Sequence, residues 1–488
     1  MQIANWTRPG HPALIVFLGL SLAPYTFAHG AKVMSDLEDE IFRDRFRLTT
    51  FTVVEGDEIL VNTFTAGNQE NPRIARLGDG GWIVVWQSQG QDGSSWGVFQ
   101  QRFDSAGDPV GSETQVNVFS GDSQSSPTVA GLAGGGWVVA WNSFGQDGSG
   151  LGVFKRTFAA NGTSFGETQV NVVTNLNQQD PLVAALQGGG FVIYWRSQEP
   201  DGTPFGTFRL YHRLYDGNGT AMSGERETGG NVDGQLSAYS VAALTDGGWV
   251  ASFSNTGLGS DVFQEAFTAT GSTIVSGSRV NSFNDNSQFA SQVAALDDGG
   301  WVVVWESALQ DGDGWGIYQQ RFNLIGQAVG SEMRVNSTTT GNQQNPRIVS
   351  TRNGGWVVAW SSGDALTPLL FQQAYNASGQ TIGSQAQLGD GLIAGSSFHR
   401  LVALDLGGWT ATWQDGQSTG TNLRQATFRA TGTGIGPSMP VNTYTADRQS
   451  HPQLAATSNG WVVVWQSENQ DGSGTGIFMK HFFLLAEN

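Results

Sequence analysis

The dipeptide Gly-Gly followed by an aromatic residue recurs along this chain, at Trp82, Trp137, Phe191, Trp249, Trp301, Trp356 and Trp409. An eighth copy, Asn-Gly-Trp, ends at Trp461. Successive copies are 55, 54, 58, 52, 55, 53 and 52 residues apart. Self-similarity at a steady period of this size marks a solenoid, a propeller or an array. In the first unit, 72–77 (PRIARL) reads as a short strand and 78–81 as a Gly/Asp turn. A β-branched and aromatic strand follows at 82–88 (WIVVWQS), then a turn at 91–94, a third strand at 96–103 (WGVFQQRF) and a fourth at 113–118. No helical period of about 3.6 residues interrupts the pattern. Four antiparallel strands per unit, repeated radially, make a β-propeller, where about 4–8 blades is usual. Separate sandwiches would need about 100 residues each, twice this period. The expected fold is all-β: an eight-bladed β-propeller of four-stranded antiparallel blades.

The ends of the chain favour a closed ring. The last repeat stops at its third strand, 476–483, and lacks a fourth. Ahead of the first repeat stands 58–62 (EILVN), which resembles the fourth-strand sequences at 114–117 (TQVN), 333–336 (MRVN) and 440–442 (PVN). The N-terminal segment can therefore supply the outer strand of blade eight and leave only short edges. The propeller is placed at 57–488.

Two segments precede it. Residues 13–23 (ALIVFLGLSLA) are an uncharged apolar run, too short to span a bilayer, which takes about 20 residues. With Arg8 before it and the small-x-small pattern ending at Ala28 after it, 1–28 reads as a secretory signal peptide. The N-terminal extension 29–56 contains one short helix at 35–47, capped by Ser35 and Glu38 and with Arg43, Arg45 and Arg47 in its last turn. Secretion or display at the cell surface follows from the leader. No later apolar run is long enough for a membrane span.

Composition narrows the function. Glycine is 68 of 488 residues, roughly twice the usual share, as many short strands and turns require. The formal charge of −18 repels nucleic-acid phosphates and anionic lipid, so nucleic acid is not an expected partner. The chain has no cysteine, which excludes disulfides, thiolate zinc sites and a cysteine nucleophile.

Six repeats carry two tryptophans four residues apart, as in Trp82/Trp86 and Trp356/Trp360, hence on one face of a strand. A blade packs through both faces, so these rings are assigned to the space between blades. Trp96 and Trp315 occur in only two repeats, beside a turn, and are candidate ligand platforms.

The unit Gly-Gly-Trp-Val-Val-x-Trp-x-Ser-x-x-Gln-Asp-Gly-Ser-Gly-x-Gly-Val-Phe-x-x-x-Phe, matched closely by 135–158, resembles a propeller-type repeat of large secreted bacterial proteins, notably adhesins and haemolysin-type calcium-binding proteins. The resemblance covers 57–483. It implies an extracellular or surface setting and calcium, and no known reaction. The chain departs from that family in lacking its Gly-Gly-x-Gly-x-Asp nonapeptide array.

The turn nine residues after the aromatic reads Gln91-Asp92, Gln146-Asp147, Gln310-Asp311 and Gln470-Asp471, each followed by Gly. Asp and Gly in a tight turn are explained by side-chain-to-backbone bonding and positive φ. The alternative is a cation site. Calcium takes about 6–8 oxygens, and only the turn with Asp311 and Asp313 offers two carboxylates. Those two residues are the candidate metal ligands, with Ca2+ the cofactor. The crossovers between blades share this rim. They supply Asn68, Gln69, Asn342 and Gln343, which join Gln91, Asp92, Gln146, Asp147, Gln470, Asp471, Trp96 and Trp315 as candidate ligand-binding residues. Planar amides, carboxylates and a ring suit a sugar, and they equally suit solvated loops.

No catalytic residue is assigned. Two Gly-x-Ser-x-Gly matches, at 93–97 and 416–420, fall in strand-to-strand loops, whereas a nucleophile elbow needs a strand-to-helix turn. No histidines pair at metal-ligand spacing, and no phosphate loop or dinucleotide fingerprint occurs. The leading reading is a secreted or cell-surface, non-enzymatic binding module, lectin-like or adhesin-like, for a glycan or an extracellular protein partner. One alternative is an extracellular carbohydrate-active enzyme, a hydrolase or lyase with carboxylates in the central funnel. The other is a structural subunit of a surface assembly.

Overall fold

The computed structural model describes residues 51–200, 207–229, 236–255, 259–363, 368–389, 399–416 and 420–486. The leader at 1–28, the helix at 35–47 and the centre of the 416–420 motif lie outside them. Among the described residues all regular structure is strand, arranged as eight four-stranded antiparallel sheets, so the fold is an eight-bladed β-propeller. Blades 1 to 7 span 69–115, 124–169, 178–228, 236–279, 288–334, 343–388 and 399–440. Blade 8 takes three strands from 449–486 and its fourth from Phe51–Leu60.

The repeat signature has a steric cause. In blade 1 the turn after Gln69–Arg76 closes through Leu77 and Gly81, with Gly80 at φ +88°. At Gly81 an added Cβ would run into the carbonyl oxygen of Phe103 on the third strand. One glycine supplies the left-handed backbone and the next permits close strand approach. The strand that follows, Trp82–Gln89, is buried over its first seven residues because both its faces meet neighbouring blades.

Packing runs between blades. Trp82, Trp86, Phe99 and Phe103 of blade 1 cluster with Val462, Val464, Ile477 and Met479 of blade 8. All of the paired tryptophans are at most 2% exposed, as their spacing implies. The first tryptophan of blades 2 and 4 to 8 also donates its ring N–H backwards. Trp137 Nε1 reaches Gln100 Oε1 at 2.9 Å, and Trp301 reaches Gln264 at 2.7 Å. Blade 3 has Phe191 instead, with no ring N–H, and blade 2 correspondingly presents Lys155, its Nζ 4.7 Å from the Tyr215 ring centre.

The ring closes through the N-terminal strand. Phe51–Leu60 pairs antiparallel with Thr475–Ala486, from Phe51 opposite Ala486 to Leu60 opposite Phe478. This strand begins seven residues earlier than the segment 58–62 suggested, so 51–56 belong to the propeller and not to the extension. Val61 and Asn62 leave the strand yet still bond Ile477, N–H to carbonyl at 2.7 Å and Oδ1 to N–H at 2.6 Å. The first strand of every blade touches that of the next, the eighth meeting the first. These eight inner strands surround the axis.

Candidate functional site

Two groups of polar residues compete for a functional role: the loops of the crossover rim and the lining of the axis. At the rim, the conserved-looking chemistry of the turns is spent inside the fold. Asn117, at the end of blade 1, accepts from Val98 N–H at 2.7 Å. Its amide donates to Phe119 O at 2.9 Å, Gln124 Oε1 at 3.0 Å and Asp92 Oδ2 at 3.2 Å. Asn171 repeats this with Val153, Val173, Gln178 and Asp147, and Asn336 with Ile317, Thr338, Gln343 and Asp311. Asn62 does the same across the closure, with Asp471.

The glutamines of the same turns are clamped by the next strand. Gln146 Nε2 donates to Glu167 Oε1 at 2.6 Å, while Glu167 Oε2 accepts from Val118 N–H of the preceding blade. Gln91 is held likewise by Glu113, and Gln470 by Glu58 at 2.7 Å. Glu58 also accepts from Thr443 Oγ1 at 2.7 Å, which ties blade 7 to the N-terminal strand.

The structure places the candidate ligand residues of the rim as follows. Gln69 and Gln343 are 0% exposed and turn inward. Asn68 Oδ1 accepts from Thr475 N–H, and Asn342 Oδ1 from Trp315 N–H, both at 3.2 Å. Asp92, Asp147, Asp471, Gln91, Gln146 and Gln470 hold the frame just described. The three aspartates are bound at both carboxylate oxygens, and the glutamines through at least their amide nitrogens. Trp96 and Trp315 are half-buried at the start of their strands. For calcium, Asp311 Oδ2 accepts from Asn336 and Asp313 Oδ2 accepts from Gly341 N–H at 3.0 Å. Ser473 Oγ does the latter work for Gly67 N–H, at 3.3 Å. Among the described residues no three His, Asp or Glu side chains are grouped to hold a metal.

The axis is different. Nine residues before each aromatic, eight before Trp461, stands the middle residue of the inner strand. It is Thr128, Leu182, Ser240 and Gln292 in blades 2 to 5, but Arg347, Arg400, Gln453 and Arg73 in blades 6, 7, 8 and 1. Ring closure sets these last four side by side. Arg400 Nε donates to Gln453 Oε1 at 3.3 Å. Among the described residues none of the three guanidiniums forms an ion pair. Burial, followed by the charges of Arg347 and Arg73, pulls Arg400 down to about 9. Burial lowers Arg73 and Arg347 as well, the Glu306 charge partly offsetting it at Arg347. Arg73 and Arg400 stand on the inner strands on either side of blade 8, and the charge of Arg73 is felt at Arg400.

Histidines and an acid complete the cluster. Burial, then Arg347 and Arg400, holds His399 down to about 3. His451 is held to about 4 by burial, then Arg448, Arg73 and Arg400. Glu306, 5% exposed, is pushed up to about 7 by burial, against the opposing pull of Asn345 N–H, Gln344 and Arg347. In blades 1, 2, 3, 5, 6 and 8 the inner strand carries a bulge whose left-handed residue stands two before the middle residue: Asn71, Ser126, Asp180, Ala290, Asn345 and His451 have φ of 54°, 54°, 57°, 53°, 57° and 56°. Such backbone in non-glycine residues is strained, and here it lines the axial mouth. The arrangement presents unpaired positive charge, amides and imidazoles at one side of the axis, an environment for an anion.

The arginines were not among the residues expected from sequence. Their signal was Asn-Pro-Arg at 71–73 and 345–347, and His-Arg at 399–400, each at the same distance from its aromatic. Elsewhere, a cavity of about 490 Å³ between the outer strands of blades 5 and 6 is lined by Ser337 and Gln385, which bond each other at 2.7 Å.

No family model matches this sequence, and no curated protein matches it. Solved structures are similar to it at low identity. A protein of unknown function from Dyadobacter fermentans is 10% identical, with a TM-score of 0.43 over 89% of this chain and 99% of that one. An ulvan lyase bound to a sulfated glucuronate–rhamnose unit is 10% identical, with a TM-score of 0.44 over 79% of this chain and 98% of its own. An α-L-arabinanase of Penicillium chrysogenum is 13% identical, with a TM-score of 0.36 over 63% and 94%. Nothing about ligand or chemistry in this chain follows from likenesses of that order.

Proposed function

We propose that this chain is an exported binding module for acidic glycans, which takes its ligand at the arginines of the axis. The observation that supports this is the one-sided cluster of Arg73, Arg347 and Arg400, half-buried and, among the described residues, in no ion pair. A guanidinium fork fits carboxylate and sulfate oxygens, and Asn71, Asn345, Gln453 and His451 offer hydrogen bonds to hydroxyls. The chain as a whole carries −18, so its long-range field opposes anions. Attraction must then come at short range, which suits an oligosaccharide or a chain end entering the axis. Calorimetry with a galacturonate tetrasaccharide and a neutral maltotetraose tests it. The acidic sugar binds, the neutral one does not, and Arg347→Gln with Arg400→Gln weakens binding at least tenfold. Equal affinities for the two sugars, or binding untouched by the double variant, would sink the proposal.

A second reading, a carbohydrate-active enzyme, draws on Glu306. A buried carboxyl pushed up to about 7 beside an anion site is equipped to move a proton. Shortening of an acidic polysaccharide that Glu306→Gln abolishes would favour this reading over pure binding.

A further inference from the structure

We infer that Glu306 is an acid-controlled counter-charge to Arg347: ionised, it offsets that arginine, and protonated, it leaves the arginine to an anionic ligand. This rests on the acidic-ligand reading above and adds its regulation.

Internal repeats supply the control. In blades 1, 5 and 8 the residue after the second tryptophan reaches the left-handed bulge residue of the next inner strand. Gln87 Oε1 accepts from Ser126 N–H at 3.0 Å, and Gln466 Oε1 from Asn71 N–H at 3.0 Å. Glu306 Oε1 accepts from Asn345 N–H at 2.5 Å. An amide therefore meets the structural need twice over. What the carboxylate adds is charge, and it adds it two residues from Arg347.

The surroundings of Glu306 leave few other actors. Its own blade places Phe289 and Ile317 opposite it in the sheet. The inner strand of blade 6 contributes Gln344, Asn345 and Arg347, of which only the arginine is charged. Beyond Arg347 lie Arg400, which stays cationic, and His399 and His451, held down to about 3 and 4 and so neutral near pH 7. Because burial pushes the Glu306 carboxyl up to about 7, its charge changes in the physiological range. The sign is fixed. Below about 7 the acid is neutral, the arginine charge is uncompensated and an anion binds best. Above it, Glu306 competes for Arg347 and disfavours the anion. A bound anion in turn favours the protonated acid, so binding takes up a proton near neutrality.

The test is calorimetry with galacturonate tetrasaccharide at pH 6 and pH 8, at one ionic strength and in two buffers of different ionisation enthalpy. The proteins are the full chain, Glu306→Gln and Arg347→Gln. The full chain binds about fivefold more tightly at pH 6 than at pH 8, with proton uptake, the factor that a one-unit rise of a carboxyl near 7 gives between these two values. Glu306→Gln binds at pH 8 as the full chain does at pH 6, with neither pH dependence nor proton uptake. Gln87 and Gln466 show that the fold accepts this residue, and a melting curve at each pH checks it independently. The melting point of the full chain falls relative to Glu306→Gln between pH 6 and 8, because a raised acid loses stability as pH rises through its folded value. Binding that depends on Arg347 but not on pH overturns the role of Glu306 and leaves the acidic ligand standing. Absence of binding by all three proteins overturns the ligand and this inference together.

Discussion

Blades 2 to 5 and blades 6, 7 and 1 pair the same inner strand with the same tryptophan-bearing or phenylalanine-bearing second strand, yet the first arc places Thr128, Leu182, Ser240 and Gln292 where the second places Arg347, Arg400 and Arg73. The uncharged arc shows that the backbone needs no cation there. Three like charges in a half-buried place cost stability; among the described residues none of the three forms an ion pair, and Glu306 offsets only Arg347, in part. A repeat protein thus carries its own controls. Where all copies agree, the fold explains the residue. Where one arc departs from the rest at a cost, function is the better explanation.

The rim is the counter-example. Its Asn, Asp, Gln and Glu recur because each blade must satisfy the same backbone groups. Asn117→Ala should be the most damaging of the changes considered for this contrast. It removes the acceptor of Val98 N–H and three donated bonds, in a residue that is 3% exposed. A loss of about 3 kcal/mol or more in a urea titration is expected, since buried partners are left unmade. A loss under about 1 kcal/mol would mean that the rim asparagines are not structural.

Arg400→Gln should act in the opposite direction. It gives blade 7 the residue that blade 8 already has in Gln453, and removes one of three mutually repelling charges. Stability is expected to hold or rise by about 1 kcal/mol in the same titration. A loss as large as that of Asn117→Ala would move Arg400 from the ligand site into the frame.

These two residues also show what could be seen beforehand. The Gly-Gly-aromatic period is imposed by local geometry, so it is legible in the sequence as blades, paired tryptophans and the borrowed outer strand. Asn68 and Gln69 are adjacent and chemically alike, and nothing local says that Gln69 is sealed inside while Asn68 reaches to Thr475. The arginines were hidden for another reason. Arg73 and Arg400 are far apart along the chain and meet only because blade 8 closes against blade 1. A composition rich in amides drew attention to the rim, where the amides serve the backbone. The sparse cations were the informative deviation.

The smallest effect is expected at the turn that looked most like a cation site. Asp313 Oδ2 accepts from Gly341 N–H, and Ser473 Oγ accepts from Gly67 N–H in the matching place. Asp313→Ser therefore exchanges one acceptor for another that the fold already uses, and should change stability by less than about 0.5 kcal/mol. Asp311 is engaged by Asn336, so the turn has at most a few free oxygens for a cation that takes about 6–8. Millimolar calcium should accordingly leave the melting temperature of the full chain and of Asp313→Ser unchanged and equal. A bound ion would raise it by mass action. A calcium-dependent rise that Asp313→Ser removes would place a cation in this blade after all. The rule that a departure from the repeats marks function would then extend from the axis to the rim, with Asp313 as its second instance.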